Sequence, residues 1–591
     1  MTVTTAKSTS WKSLGRLMPY LSPYRTMAIV APLLMMLEVV MDLIQPRLTQ
    51  NIIDVGLANL DMGYIVRMGL MMVGLATVGM IGGATNGIIS VRIGQGYGFD
   101  LRQALYRKIQ SLSFANLDIL GTGELVTRLT NDVTQVQEIL MMALRMLVRT
   151  PLLMVGAFVM LVITSPRLSL ILVVLAPLVM IGLLRIHKLA HALFSAVQDA
   201  IDNVNTVTQE NLASVRVVKA FVRQRHETGR FGAAIDNLMN RFIKAERTVA
   251  FFGPLLMTAM NLGMVSVIYF GGRQVIQGTG QIGQIVSSLN YLMITLGSLM
   301  MVGMMLTRLS RAVASADRLI EILNSAPVIV DAPDALPELA GEGRVRLQDV
   351  TFGYGDSGEA PVLVDIDLEV EPGQTAAILG STGAGKSTLA HLIPRFYDAR
   401  AGTVMVDGVD VREISQHALR REVAIVMQDP FLFTGTIRDN LRYGRPEATD
   451  EEVERAARIA QAHDFIMSFG DGYDTELGQR GVNLSGGQKQ RLAIARALVM
   501  DPSILILDDS TSSVDVATEG RIREAIDTQM TGVTRIVVAQ RISTVLSADK
   551  IIVLEGARVA AQGTHDELMA TSPIYREIFE SQLGSGAIPN E

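Results

Sequence analysis

The chain has 591 residues, 49% of them hydrophobic and 19% charged, with a mean hydropathy of +0.33, which is too apolar for a soluble protein of several ordinary domains and places part of it in lipid. The absence of cysteine excludes disulfides, thiolate metal sites and cysteine nucleophiles, and leaves the redox compartment unreadable. The net charge of −6 is uneven: residues 1–325 carry 28 Lys and Arg against 17 Asp and Glu, whereas residues 326–591 carry 24 against 41.

In chain order, Trp11, Leu14, Leu17, Met18 and Leu21 recur at helical spacing with Lys12 and Arg16 between them, as expected for a short helix at the membrane interface. Six apolar stretches follow, at about 26–46, 64–91, 140–163, 168–186, 250–272 and 283–306. Each is close to or above the roughly 20 residues a spanning helix needs, and the polar or amphipathic first 25 residues lead to the expectation that the N-terminus is retained and not cleaved as a leader. With the N-terminus inside, 24 Lys and Arg fall on the inner side and only Arg47, Arg67, Arg167 and Arg273 near the outer one. The positive-inside rule selects that orientation. It also accounts for the basic excess without nucleic acid.

Within the first stretch, Glu38 and Asp42 lie four residues apart and share a helix face. Carboxylates at membrane depth are costly and face a cavity or a partner. They are candidates for binding a cationic substrate; pairing with an arginine such as Arg145 or Arg149, or a place at the outer aqueous edge, accounts for them equally well. The 32 methionines include pairs at 35–36, 71–72, 141–142, 300–301 and 304–305. Flexible, polarizable side chains suit a promiscuous surface as well as ordinary packing. The inner segments 92–140 and 187–249 contain no proline, which predicts helices continuing tens of ångströms beyond the bilayer.

A charged helix over 307–325 leads to a linker over 326–339, and a new domain starts near 340 and runs to 583, with 584–591 as a tail. Its strongest signal is Gly380-Ser381-Thr382-Gly383-Ala384-Gly385-Lys386-Ser387-Thr388, after the apolar Ala376-Ala377-Ile378-Leu379 and before a helical pattern. That is a complete Walker A loop in its proper context. Its backbone N–H groups are suited to close on phosphate oxygens, Lys386 to the β and γ phosphates, and the Ser387 hydroxyl to Mg²⁺. Ile504-Leu505-Ile506-Leu507-Asp508 reads as a buried strand ending in a carboxylate, the Walker B arrangement in which Asp508 holds Mg²⁺.

Between them stands Asn483-Leu484-Ser485-Gly486-Gly487-Gln488, and with it the chain resembles the ATP-binding cassette exporters over almost its whole length. The resemblance implies an α-helical membrane domain of six transmembrane helices fused to an α/β P-loop ATPase cassette. It implies that Tyr354 stacks on adenine, that Gln428 is the Q-loop residue contacting Mg²⁺ and the attacking water, that 475–481 is the X-loop, and that Ser512-Ser513-Val514-Asp515 is the D-loop. Residues 111–124 and about 209–223, with Phe114, Leu117 and Phe221, look like coupling helices that dock on cassettes near the Q-loop and X-loop. Two cassettes pair head to tail in this family, each ATP lying between the Walker A loop of one and Leu484, Ser485, Gly486, Gly487 and Gln488 of the other, so a second half-transporter chain is required.

Two positions depart from the family pattern. Asp509 stands where a glutamate polarises the hydrolytic water, which withdraws the carboxylate by roughly 1.5 Å, and misplacement of about 1 Å at a reacting centre can cost on the order of 100-fold. Gln540 replaces the switch histidine; it can donate a hydrogen bond to phosphate but cannot carry a positive charge or relay a proton. This combination with an intact signature resembles the degenerate-site half of bacterial heterodimeric multidrug exporters, in the plasma membrane with N-terminus and cassette cytoplasmic. The expected cargo is hydrophobic or amphipathic, drug or lipid. A slow homodimeric exporter and an ATP-gated protein that does not pump remain alternatives, whereas an importer is disfavoured by the fused domain order.

Overall fold

A computed structural model describes residues 12–355, 360–539, 541–542 and 545–583. Trp11, Gln540 and the tail 584–591 lie outside the described residues. By its internal contacts the chain forms two compact units, one of residues 1–110 and 122–325, the other of 111–121 and 326–591.

The first unit is helical. Among the described residues, six helical passages are long and apolar enough to cross a membrane: Lys12–Leu57, Met62–Gln110, Thr122–Thr164, Pro166–Ala213, Gln224–Ile276 and Ile282–Val302. The helices Met62–Gln110 and Pro166–Ala213 have 49 and 48 residues, so each reaches about 70 Å, more than twice the ~30 Å hydrocarbon core. The proline-free inner segments supply the excess length. Apolar side chains such as Leu70, Ile88 and Val174 point outward, the arrangement expected where the solvent is lipid.

Inside the bundle, Leu161, Leu172, Val267, Tyr291 and Leu296 form part of a buried cluster, and the Tyr291 hydroxyl donates to the Leu43 carbonyl at 2.8 Å. Buried Asn86 donates to the Ala31 carbonyl at 2.6 Å, a polar tie of the kind that holds helices where lipid removes the hydrophobic driving force. Buried Asp132 accepts from Arg318 Nε at 2.8 Å and from Ser315 Oγ at 2.7 Å. The short N-terminal helix Lys12–Leu17 buries Ser13 and Leu17, and Ser13 bonds to Asp317 of the last long helix. That face therefore packs on protein.

Among the described residues the second unit carries two larger sheets and a two-stranded one, Gly435–Thr436 paired with Glu476–Leu477. A six-stranded sheet runs, in spatial order, Arg558–Gly563, Lys550–Glu555, Thr375–Gly380, Thr534–Val538, Ile504–Asp508 and Val423–Val426. All its neighbours are parallel except the first pair. Thr375–Gly380 and Ile504–Asp508 are buried on both faces along most of their length, which is why they carry unbroken Ala, Ile and Leu runs, whereas Thr534–Val538 between them alternates in burial and carries Arg535. Parallel strands leave the phosphate loop and Asp508 at one edge of the sheet, at the C-terminal ends of two strands that flank Thr534–Val538 on either side. A four-stranded antiparallel sheet, in order Leu363–Val370, Val345–Phe352, Ala401–Val406 and Val409–Asp410, packs beside it. The linker is pinned to this unit, since Leu336 N–H donates to the Glu413 carbonyl at 2.8 Å and Ser415 N–H to the Leu336 carbonyl at 3.0 Å.

Candidate nucleotide and cargo sites

The phosphate loop turns where glycine is required. A Cβ on Gly380 would meet the Leu554 carbonyl at 2.4 Å, and one on Gly385, at φ +97°, would meet Leu363 Cδ2 at 2.7 Å. Ser381, Thr382 and Gly383 are exposed, Ala384 is buried, and the loop ends at the helix Lys386–Leu392. Lys386 Nζ donates to the Gly380 and Ser381 carbonyls, both at 2.9 Å. It is therefore folded back across its own loop, where phosphate oxygens are the stronger acceptors for an ammonium. Burial pushes its pKa down, and Asp509 and Asp508 oppose that shift.

Ser387 Oγ donates to Asp508 Oδ1 at 2.9 Å. The hydroxyl and the carboxylate thus converge at the strand end, a donor set suited to a hard divalent cation that keeps water and phosphate ligands. No group of three or more His, Asp or Glu residues among the described residues offers an all-protein metal site. Thr388 Oγ1 lies 3.0 Å from the Tyr354 hydroxyl. Tyr354 is partly exposed and edge-packed on Phe352 and Tyr397, with ring centroids 5.0 and 5.2 Å away, which fixes its ring beside the phosphate loop.

Asp509 follows the Walker B strand with φ 47°, a left-handed conformation that Asp tolerates better than most residues. Its Oδ2 accepts from Gln428 Nε2 at 3.1 Å. Burial raises its pKa above the ordinary carboxylate range, the Gln428 hydrogen bond opposes this, and Asp508 raises it further. The two residues expected around the attacking water therefore hold one another. His391, which sequence reasoning missed, places Nε2 3.7 Å from Asp508 Oδ2, and burial pushes its pKa below the usual value.

Ser485 caps the helix Gly486–Val499. Its N–H donates to Gln488 Oε1 at 2.9 Å, and Gln488 N–H donates to Ser485 Oγ at 3.3 Å, a reciprocal capping box. Leu484 is buried just before it. A Cβ on Gly487 would meet the Ser513 carbonyl at 2.8 Å, so the glycine permits the D-loop to lie against the helix. Gln490, also missed, completes that contact: it donates to Ser512 Oγ at 3.1 Å and accepts from Ser513 N–H at 2.9 Å. Asp515 caps the next helix through Thr518 N–H at 2.9 Å.

The helix Phe114–Leu120 belongs to this second unit. Phe114 stacks on Phe396 with centroids 4.3 Å apart, and the Tyr397 hydroxyl donates to Asp118 Oδ2 at 2.7 Å. Docking is thus to the segment after the phosphate-loop helix, and Tyr397 touches both Asp118 and the Tyr354 ring. Phe396 and Tyr397 stand side by side in the sequence, an aromatic pair outside any recognised motif. In the first unit, the helix Val215–Ala220 ends in Phe221 and Val222, which are 73% and 79% exposed.

Also in the first unit, Arg149 lies between the two membrane carboxylates: its Nη2 is 2.9 Å from Asp42 Oδ2 and its Nε 3.4 Å from Glu38 Oε1. Glu38 borders a cavity of about 1120 Å³ lined within this unit by methionines and arginines.

Comparison with known proteins adds the family context. The family described as "ABC transporter transmembrane region" matches residues 28–299, and that described as "ABC transporter" matches residues 363–512. The chain is 39% identical to the uncharacterized ABC transporter ATP-binding protein YfiB of Bacillus subtilis, over 96% of this chain and 98% of that one. It is 33% identical to the ATP-dependent lipid A-core flippase of Syntrophus aciditrophicus, over 84% and 82%. A solved structure of a bacterial Atm1-family ABC exporter with ATP bound superposes with a TM-score of 0.79 at 27% identity, over 95% of this chain and 99% of that one.

Proposed function

The chain belongs to the ABC transporters, as one half of an ATP-driven exporter with its membrane domain and ATPase in a single polypeptide, and from that premise we propose that it is the half whose own nucleotide site binds ATP and hydrolyses it poorly. The observation that carries the proposal is Asp509: one methylene shorter than the usual glutamate, its carboxylate accepts a hydrogen bond from Gln428 Nε2 at 3.1 Å. A general base must reach the proton it takes, and this carboxylate is engaged short of it. Gln540 as the switch residue removes the second polarising group.

The signature segment keeps its full chemistry. In a head-to-tail pair Ser485 and the Gly486 and Gly487 amides face the partner's nucleotide, where a capped helix N-terminus is a suitable ligand for a γ-phosphate. The partner is then a second ABC half-transporter with a competent base. The exposed apolar tip at Phe221 and Val222 fits the same pairing, since a docking surface on a second cassette would cover it. Ser387 and Asp508, which already meet at 2.9 Å, and Gln428 beside Asp509 would hold Mg²⁺ together with phosphate and water, and the ion would supply charge neutralisation on the nucleotide phosphates.

The cargo is a hydrophobic or amphipathic compound, a drug or a lipid, taken from the cytoplasm or inner leaflet; the flippase relative supports the lipid half of that range. The basic inner segments favour a plasma membrane of bacterial type with N-terminus and cassette cytoplasmic.

The test is MgATP turnover and particle mass in lipid nanodiscs, for the chain alone and for the chain coexpressed with a neighbouring half-transporter. The proposal expects the lone chain to turn over at least about tenfold more slowly than the mixed complex, a barrier difference of about 1.4 kcal/mol or more. Equal turnover by a homodimer contradicts it and makes Asp509 a working base.

A further inference from the structure

The cavity of the first unit has a charge pattern that the paired carboxylates do not explain. Its lining includes Arg145, Arg149, Arg308 and Arg311 but only Glu38 and Glu138 as acids. Arg149 is already committed to Glu38 and Asp42. Among the described residues, no ion pair joins Arg145, Arg308 or Arg311 to a carboxylate, and all three are exposed. What remains facing the cavity is three guanidinium groups against one carboxylate.

The local backbone favours this display. Pro151 lies inside the helix Val148–Thr164 and has no N–H to donate to the Leu147 carbonyl four residues earlier. The preceding turn, Ala143–Leu147, is a π-helical segment with Arg145 at its centre. Such a widened turn shifts the face on which its side chains emerge, and π segments recur at functional sites. Arg308 and Arg311 lie three residues apart on the last long helix and so share a face. Alongside them the wall is apolar and deformable, with Met80, Met142 and Met301 among its residues.

We propose that this cavity takes anionic amphiphiles: an apolar body against the methionines, and a carboxylate, sulfate or phosphate head among Arg145, Arg308 and Arg311. Guanidinium groups match planar and tetrahedral oxyanions bidentately and stay charged at every accessible pH. Glu38 and Asp42 then act internally, holding Arg149 in place, and do not attract a cationic cargo. The proposal rests on the export reading for the direction of movement but not for the binding preference. The anionic head could belong to a bilayer lipid or to a soluble amphiphile.

The experiment uses the full chain with its partner, or with a second copy, in nanodiscs. Three fluorescent dodecyl probes that differ only in a carboxylate, hydroxyl or trimethylammonium head are compared for affinity by anisotropy, and for ATP-dependent movement in proteoliposomes. The carboxylate probe is expected to bind at least about tenfold more tightly than the hydroxyl probe and the trimethylammonium probe most weakly. Combined Arg145→Gln, Arg308→Gln and Arg311→Gln should abolish the preference, and the corresponding lysine exchanges should keep most of it. Repeating the measurement in phosphatidylglycerol and phosphatidylcholine nanodiscs separates the sources: displacement of the carboxylate probe by phosphatidylglycerol identifies the bilayer lipid, and undiminished binding the soluble amphiphile. Equal affinities for the three heads, a preference for the cation, or a preference that survives the triple glutamine exchange overturns the proposal. ATP-driven movement of all three probes at equal rates leaves export standing and removes the charge preference. Selective binding of the carboxylate without movement of any probe does the reverse.

Discussion

Exchange of Ser485 for alanine or Gly486 for valine is expected to lower ATP turnover of the two-chain complex by about 100-fold or more, while Asp509→Asn lowers it by less than about threefold. The asymmetry follows from which nucleotide each residue serves. Loss of the Ser485 cap costs the helix Gly486–Val499 only about 1 kcal/mol, because Gln490 still ties it to Ser512 and Ser513 and Leu492, Ile494 and Leu498 hold its buried face. The fold therefore survives, and the lost rate reports on the partner's γ-phosphate. Asp509→Asn removes a charge from a carboxylate already engaged by Gln428 at 3.1 Å, at a site that the proposed reading takes to contribute little hydrolysis. Steady-state phosphate release from the three variants checks the pattern, and equal losses from signature and Asp509 exchanges count against it.

Lys386→Ala is expected to weaken ATP binding at this chain's own loop by about 100-fold. Hydrogen bonds to a charged group contribute about 1.5–3 kcal/mol each, and each 1.4 kcal/mol is a factor of ten in affinity, so one to two such bonds to phosphate account for that loss. Within its own loop the ammonium donates to the Gly380 and Ser381 carbonyls at 2.9 Å. Removing it leaves two exposed-side carbonyls to water and the strand Thr375–Gly380 intact. A fluorescent ATP analogue titrated against the complex gives the number. Unchanged affinity at this site shows that the loop amides alone hold the nucleotide.

Much of the architecture was legible because the signals are local. A run such as 168–186 declares a spanning helix by length and apolarity alone, and Ile504–Leu507 declares a strand buried on both faces. The phosphate loop is equally local: glycines at 380, 383 and 385 and Lys386 act within nine consecutive residues. Pairings set by how elements rotate against one another were not legible. Asp42 finds Arg149 across 107 positions of sequence, and either Arg145 or Arg149 was acceptable until the helix faces were known. Phe114 could be recognised as a docking residue, but its partner Phe396 could not, since nothing in periodicity selects one aromatic from another. Nothing in the sequence singles out Gln490 on the signature helix; its importance lies in a D-loop brought to it by the turn after Asp509.

The central claim, that this chain retains ATP while its partner turns over, is tested most directly by identifying the nucleotide on each half. The complex is loaded with radiolabelled, photoreactive ATP, allowed a single turnover with magnesium, quenched and cross-linked, and the nucleotide attached to each chain is resolved. The account predicts triphosphate on this chain, attached near Tyr354, and diphosphate on the partner. Diphosphate in equal amounts on both chains contradicts it.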